Sequence, residues 1–311
     1  MLDGPPDSTL ICSFTNPRRG TLQPVDFFIA AWSFALGCCV GSFLNVCIWR
    51  LPRGMGINNP SRSLCPECEH GLAWYDNIPL VSYALLRGRC RYCDAPIPWR
   101  YPVVEAVTGI VFTGIYVHQG LMNATPPDQL IIMGLLATLL IIASGVDMTH
   151  FIVPDEISVF GIIAALLAGL LIPGLHVGPE PYHTLTGLTG IATLDGLIGS
   201  TLGAVVGGGL VYLFAVVGGL MFGREALGLG DVKLMAMVGA FLGWKVAVFA
   251  FFLAPFFGLL YGIPLLLAKG QHLMPFGPFL SSAAVLVTVF RDAATAFLLP
   301  FERMVLEILG L

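Results

Sequence analysis

Eight stretches of this chain are apolar over most of the length a helix needs to cross a bilayer, and that limits the fold more than any other feature. The runs lie at about 27–49, 102–118, 129–146, 156–173, 195–222, 231–243, 246–268 and 275–299. A spanning α-helix needs about 20 such residues, because each rises ~1.5 Å through a hydrocarbon core of ~30 Å. In hydrocarbon each backbone N–H and C=O must be satisfied within the segment, so these runs fold as helices. Only 11% of the 311 residues are charged, against about 25% in a soluble globular chain. The sequence therefore predicts an all-α polytopic membrane protein with about eight transmembrane helices. The 231–243 run is short for a span; if it does not cross, the two runs after it reverse their orientation.

The remaining sequence divides around these runs. Residues 1–25 are polar and proline-rich and are expected to form a poorly ordered tail with no cleavable signal peptide. Residues 26–50 are expected to be the first transmembrane helix, retained as an anchor. Residues 51–101 form a small polar domain, residues 102–300 the membrane core, and residues 301–311 a short C-terminal tail. The 50–100 segment holds seven of the fifteen Lys and Arg: Arg50, Arg53, Arg62, Arg87, Arg89, Arg91 and Arg100. Positive loops stay on the cytoplasmic side, which places this segment there. Counting spans alternately puts the loops at 147–154, 223–230 and 269–274 on the same side. Asp147 and Asp231 then share one membrane face on different helices, whether or not the short run crosses.

Four of the eight cysteines form two knuckles, Cys65-Pro-Glu-Cys68 and Cys90-Arg-Tyr-Cys93. Two C-x-x-C turns at this spacing suit a tetrahedral Zn²⁺ site with four thiolate ligands. Four thiolates leave no open coordination position, so the metal would be structural. A cytoplasmic setting keeps thiols reduced and favours metal over disulfide. A pair of redox dithiols is the alternative. A domain of about 50 residues has little core of its own, which gives a metal staple a use. Cys38, Cys39 and Cys47 lie in or beside the first apolar run and read as packing residues, and Cys12 is isolated.

The acids carry the chemistry. An acid at a membrane edge is costly and is a functional hypothesis by default. Asp147 directly follows the third run, and Asp231 opens the sixth within Gly228-Leu-Gly230-Asp231-Val-Lys233-Leu. Two carboxylates converging on one site cannot both ionise easily and share a proton. Such a pair supplies a base to activate water and an acid to protonate a leaving amine, which suffices to hydrolyse a peptide. The sequence contains no G-x-S-x-G and no H-E-x-x-H, which removes the commonest serine and zinc hydrolase patterns. The alternatives are plain. Asp231 could be a helix N-cap, Asp147 an ordinary interfacial acid and Lys233 a snorkelling residue. Asp155 reads as the N-cap of the fourth run. Gly228 and Gly230 could give an extended peptide room through close backbone approach and unusual dihedrals, or form a flexible loop.

Taken together, these blocks closely resemble the bacterial type IV prepilin peptidases, of the G-x-G-D type of membrane aspartic protease. The likeness runs from Gly41-Ser-Phe-Leu-Asn-Val and Arg50-Leu-Pro through both cysteine knuckles, Trp74-Tyr-Asp-Asn-Ile-Pro79 and Pro96-Ile-Pro-Trp-Arg-Tyr-Pro102. It continues in Asp147…Ile152-Val-Pro-Asp155, Gly228-Leu-Gly-Asp231-Val-Lys-Leu234 and Pro275-Phe-Gly-Pro-Phe-Leu280. The resemblance implies two activities in the bacterial inner membrane, with the site at the cytoplasmic face. One is cleavage of the basic leader of type IV prepilins or type II secretion pseudopilins by Asp147 and Asp231. The other is N-methylation of the new terminal residue with S-adenosylmethionine, since the cysteine domain that single-function relatives lack is present here. The outer segment 174–194 departs from the family pattern and lies on the far face. Asp76, Asn77 and Glu105 are polar candidates for holding S-adenosylmethionine, with structural hydrogen bonding as the alternative. The arginines are expected to set topology and meet anionic membrane lipid, and the acids Glu67, Glu69, Asp76, Asp94 and Glu105 to meet the leader. No nucleic-acid partner is expected. A proton-relaying transporter and a non-catalytic secretion scaffold are the rival readings; a transporter would place its acids deep within the spans.

Overall fold

The computed structural model describes residues 23–57, 63–176, 189–223, 227–269, 274–290 and 300. The C-terminal tail, nearly all of the N-terminal tail and most of the 174–194 segment lie outside these residues. Every apolar run contains a helix. They are α1 (Pro24–Arg50), α3 (Arg100–Ile115), α4 (Pro127–His150), α5 (Asp155–Leu171), α6 (Ala192–Phe222), α7 (Leu229–Leu242), α8 (Trp244–Lys269) and α9 (Gly277–Val289), with a short α2 (Val81–Leu85) in the polar domain. Among the described residues there is no named strand; the polar domain has two isolated bridges, Leu64 with Gly71 and Arg89 with Pro96.

Among the described residues, four helical stretches are long and apolar enough to cross a membrane: Pro24–Arg53, Pro127–His150, Ala192–Met221 and Trp244–Pro264. This makes the chain a multi-pass membrane protein. The helices α3, α5, α7 and α9 are shorter, at 16, 17, 14 and 13 residues. A π-helical turn from Tyr116 to Met122 prolongs α3.

Packing explains how so short a helix as α7 is held. Lipid chains are as apolar as Leu, so membrane helices associate where small residues let backbones approach. Gly203 of α6 and Gly239 of α7 face each other, and a Cβ on either would collide with the other's backbone carbonyl. Gly207, one turn on, abuts the Met235 carbonyl in the same way, and Ser200 Oγ donates to the Ala240 carbonyl at 2.9 Å. Leu234, Met235, Met237, Val238 and Phe241 of α7 are consequently buried against α4, α5, α6 and α8. A second close crossing joins α1 to α3. There a Cβ at Gly37 would lie 2.8 Å from Gly109 Cα, and one at Gly41 would lie 2.7 Å from Glu105 Cα.

Candidate active site and metal centre

Asp147 sits in the last turn of α4, and the helix ends just after it. Phe151 takes the left-handed conformation (φ 56°) and donates its N–H to the Asp147 carbonyl at 2.9 Å. A bulky residue with positive φ is uncommon, and such strain gathers at functional sites. The Asp147 side chain is buried, and its Oδ2 accepts the Gly277 N–H at 2.9 Å. Gly277 is the first residue of α9, so the carboxylate lies at the positive end of a helix dipole.

Asp231 is the third residue of α7. Gly228 holds the N-cap position with an extended backbone, φ −79° and ψ 154°. Asp231 Oδ2 accepts the Gly228 N–H at 3.4 Å, half of a capping box whose other half a glycine cannot supply. The carboxylate therefore does cap α7, from inside the first turn and not as the N-cap residue. Asp231 is buried, and the Asp147 carboxylate is near enough to act on it electrostatically. Two buried acids, each beside a helix N-terminus and each with one oxygen held by a backbone N–H, can between them bind a water, accept a proton and donate one.

The neighbouring motif residues fall differently from the sequence expectation. Lys233 Nζ pairs with Asp155 Oδ1 at 2.7 Å and neither snorkels alone nor bonds Asp231. Asp155 is the first helical residue of α5; Pro154 occupies the N-cap position that Asp155 was expected to hold. Gly228 and Gly230 do not use positive φ. At Gly230 the glycine serves packing, since a Cβ there would stand 3.1 Å from Val153 Cβ. The 151–154 loop that follows Asp147 thus touches the turn bearing Asp231 through Val153, with the Asp155–Lys233 pair beside it.

The four knuckle cysteines meet. Their Sγ atoms all lie within 4.8 Å of one another, and Cys65 Sγ and Cys93 Sγ are 3.8 Å apart. Thiolates at ~2.3 Å from a tetrahedral ion are separated by about 3.8 Å, so the set fits Zn²⁺. The knuckles repeat one local fold. In the first, Cys65 N–H donates to the His70 carbonyl and Glu69 N–H to Cys65, with Glu69 at φ 55°. In the second, Cys90 N–H donates to the Ala95 carbonyl and Asp94 N–H to Cys90, with Asp94 at φ 59°. The Tyr92 backbone N–H holds the Cys90 thiol below its ordinary value.

The three residues considered for S-adenosylmethionine are dispersed in role. Asp76 is buried; Arg91 Nε donates to its Oδ1 at 2.7 Å and Tyr92 Oη to its Oδ2 at 3.2 Å. Arg91 and Tyr92 are the two middle residues of the second knuckle, and Tyr92 stacks on His70 beside the first at 3.7 Å. Asp76 therefore ties the Trp74–Asn77 turn to the metal centre. Glu105 is buried at the α1–α3 crossing, and its Oε2 accepts the Leu80 N–H at 2.8 Å. Leu80 itself is strained, with φ 61° and ψ −44°, and Val81 N–H donates back to the Pro79 carbonyl at 2.6 Å. Asn77 has an exposed side chain. Sequence reasoning missed Gly277 as a partner of Asp147. Its glycine between Phe276 and Pro278 was visible, but nothing in the chain shows that it returns 130 residues later to that acid.

Comparison with known proteins follows the same division. Residues 35–119 match the family model described as the bacterial peptidase A24 N-terminal domain, and residues 134–263 match the type IV leader peptidase family. A prepilin leader peptidase/N-methyltransferase of Myxococcus xanthus is 39% identical over 242 residues, covering 78% of this chain and 64% of that protein. Proteins of the same description from Aeromonas hydrophila and Stutzerimonas stutzeri are 31% and 32% identical, with 92% and 97% of their lengths and 86% and 91% of this chain covered. No solved structure matches.

Proposed function

The chain belongs to the type IV leader peptidase family, and from that premise we propose that Asp147 and Asp231 form its proteolytic dyad. The protein is a membrane enzyme that cleaves the leader of prepilins and N-methylates the new terminus. One observation supports the residue assignment: two buried carboxylates, at the end of α4 and the start of α7, are near enough to act on each other electrostatically, and Asp147 is held by the first N–H of α9. In the proposed reaction the ionised carboxylate takes a proton from a water held between the pair. The water oxygen attacks the scissile carbonyl carbon. The protonated carboxyl gives its proton to the amide nitrogen as the C–N bond breaks. The products are a leader ending in a carboxylate and a mature chain with a free amine. Both acids lie at helix ends, as a protease of extended peptides needs and a transmembrane proton relay does not.

S-adenosylmethionine would supply the methyl group to that amine. Among the residues considered for it, Asn77 is exposed and is the one we assign to ligand contact, while Asp76 and Glu105 support the domain from within. The four cysteines would hold Zn²⁺ as a staple between the knuckles, and Asp76 would fix the second knuckle behind it. Substrates are taken to be type IV prepilins or type II secretion pseudopilins at the cytoplasmic face of the bacterial inner membrane, a placement supported by the basic 50–100 segment. Glu67 and Glu69, which are exposed, are the acids proposed to meet a basic leader. The test is incubation of membranes containing the protein with a prepilin, with and without S-adenosylmethionine. Cleavage in both, with a methylated N-terminus only in the first, is expected; an intact leader in both refutes the reading.

A further inference from the structure

One face of the four-cysteine domain, over residues 74–85, is inside out for a domain in water. The helix α2 buries its polar residue, Ser82, whose hydroxyl donates to the Tyr75 carbonyl at 2.7 Å and accepts the Ile78 N–H at 3.0 Å. Its apolar residues point outward: Val81 is 50% exposed and Leu85 77%, and Ala84 between them is also exposed. A helix on a water-soluble domain shows the opposite arrangement. Trp74, 80% exposed, lies in the preceding turn, while Asp76 in that same turn is buried. Over this stretch Trp74, Val81, Ala84 and Leu85 face out, while Asp76 and Ser82 face in.

The placement of α2 says what covers this face. Leu80, the residue before α2, is hydrogen-bonded to Glu105 of α3. Glu105 stands five residues after Arg100, where α3 begins, or about 7.5 Å along the helix. The start of α2 is therefore pinned beside α3 within one to two turns of its end, and α3 packs along α1, which is long and apolar enough to cross a membrane. Trp99, at the N-cap of α3, is 74% exposed, and Arg87 and Arg89 are exposed just beyond α2. Tryptophan at the headgroup level with arginines beside it is the pattern of residues anchored at an anionic membrane surface.

We propose that the outer face of residues 74–85, formed by Trp74, Val81, Ala84 and Leu85, is seated in the interfacial layer of the bilayer, with Arg87 against lipid phosphates. The metal domain then lies flat on the membrane beside α1 and α3. This rests on the chain spanning the membrane and not on the aspartate pair, so its failure leaves the proposed activity standing.

The experiment is fluorescence quenching of the whole protein in vesicles of phosphatidylcholine and phosphatidylglycerol, with bromine on the upper acyl chains of the lipid. The Trp74 component is the difference between the wild type and Trp74→Phe. Bromolipid is expected to remove most of it, and aqueous iodide to leave it unchanged. Leu85→Trp on the Trp74→Phe background should restore a bromolipid-quenched component from the same face. A Trp74 component quenched by iodide and untouched by bromolipid overturns the proposal. So does one that iodide quenches and a saturating prepilin shields from iodide, which would mark the face as a substrate surface.

Discussion

Gly277 is the residue on which the proposed dyad leans most directly. Its N–H holds Asp147 Oδ2, and a Cβ in its place would stand 2.7 Å from that same oxygen. Gly277→Ala should therefore push the carboxylate from its seat. A hydrogen bond to a charged group contributes about 1.5–3 kcal/mol, so loss of it predicts a fall in the cleavage rate of ~10-fold or more. Single-turnover cleavage of a prepilin by the variant checks this, with membrane insertion unchanged. The Lys233–Asp155 pair is a smaller matter, because both side chains are substantially exposed, at 40% and 64%. Exposed pairs contribute about 0.2–1 kcal/mol. Lys233→Ala is expected to slow cleavage by no more than ~5-fold, and the reversed pair Asp155→Lys with Lys233→Asp should recover part of that loss. A larger loss without recovery would mean that Lys233 acts on something other than Asp155.

At the scale of the helix, the site depends on α7, which carries Asp231 and is only 14 residues long. Its hold on α6 depends on Gly203 and Gly239 meeting without side chains. Gly239→Val should force the helices apart and cost about 1–3 kcal/mol, as overpacking does elsewhere, lowering the thermal midpoint in detergent. Cleavage should fall as well, because the displacement reaches Asp231 two turns away. The helices themselves were legible as runs of apolar residues, and Gly203-x-x-x-Gly207 and Gly37-x-x-x-Gly41 stood in the sequence as small-residue spacings. Which helix each would meet was not legible, since a small-residue stripe names no partner. The same limit applied to polar residues. Asp76 and Glu105 stood out as polar groups near the metal domain, but their partners lie 15 and 25 positions away. Those partners give both side chains structural hydrogen bonds within the fold, the alternative the sequence had offered. Asp155 was misplaced by one position because Pro154, with its fixed φ, itself serves at the N-cap.

Across the whole molecule, the two clusters of chemistry sit on separate parts of the chain: the cysteines before α3, the aspartates on α4 and α7. Removing the metal should then damage them unequally. Treatment with a strong chelator, or Cys65→Ser with Cys90→Ser, is expected to abolish N-methylation while cleavage persists. Mass spectrometry of the processed pilin reads both outcomes at once, and equal loss of both activities in a folded protein would contradict the division. The aspartates were readable as a pair from loop charge and motif; their burial and the glycine beside Asp147 came only with the packed helices. The most direct test of the central claim is the rate of prepilin cleavage by Asp147→Asn and Asp231→Asn, each purified and reconstituted in lipid. Asparagine keeps the shape of the side chain and removes its proton chemistry. Both variants should lose cleavage by several orders of magnitude while still methylating a prepilin supplied already cleaved. Cleavage at the wild-type rate by either one would contradict the dyad.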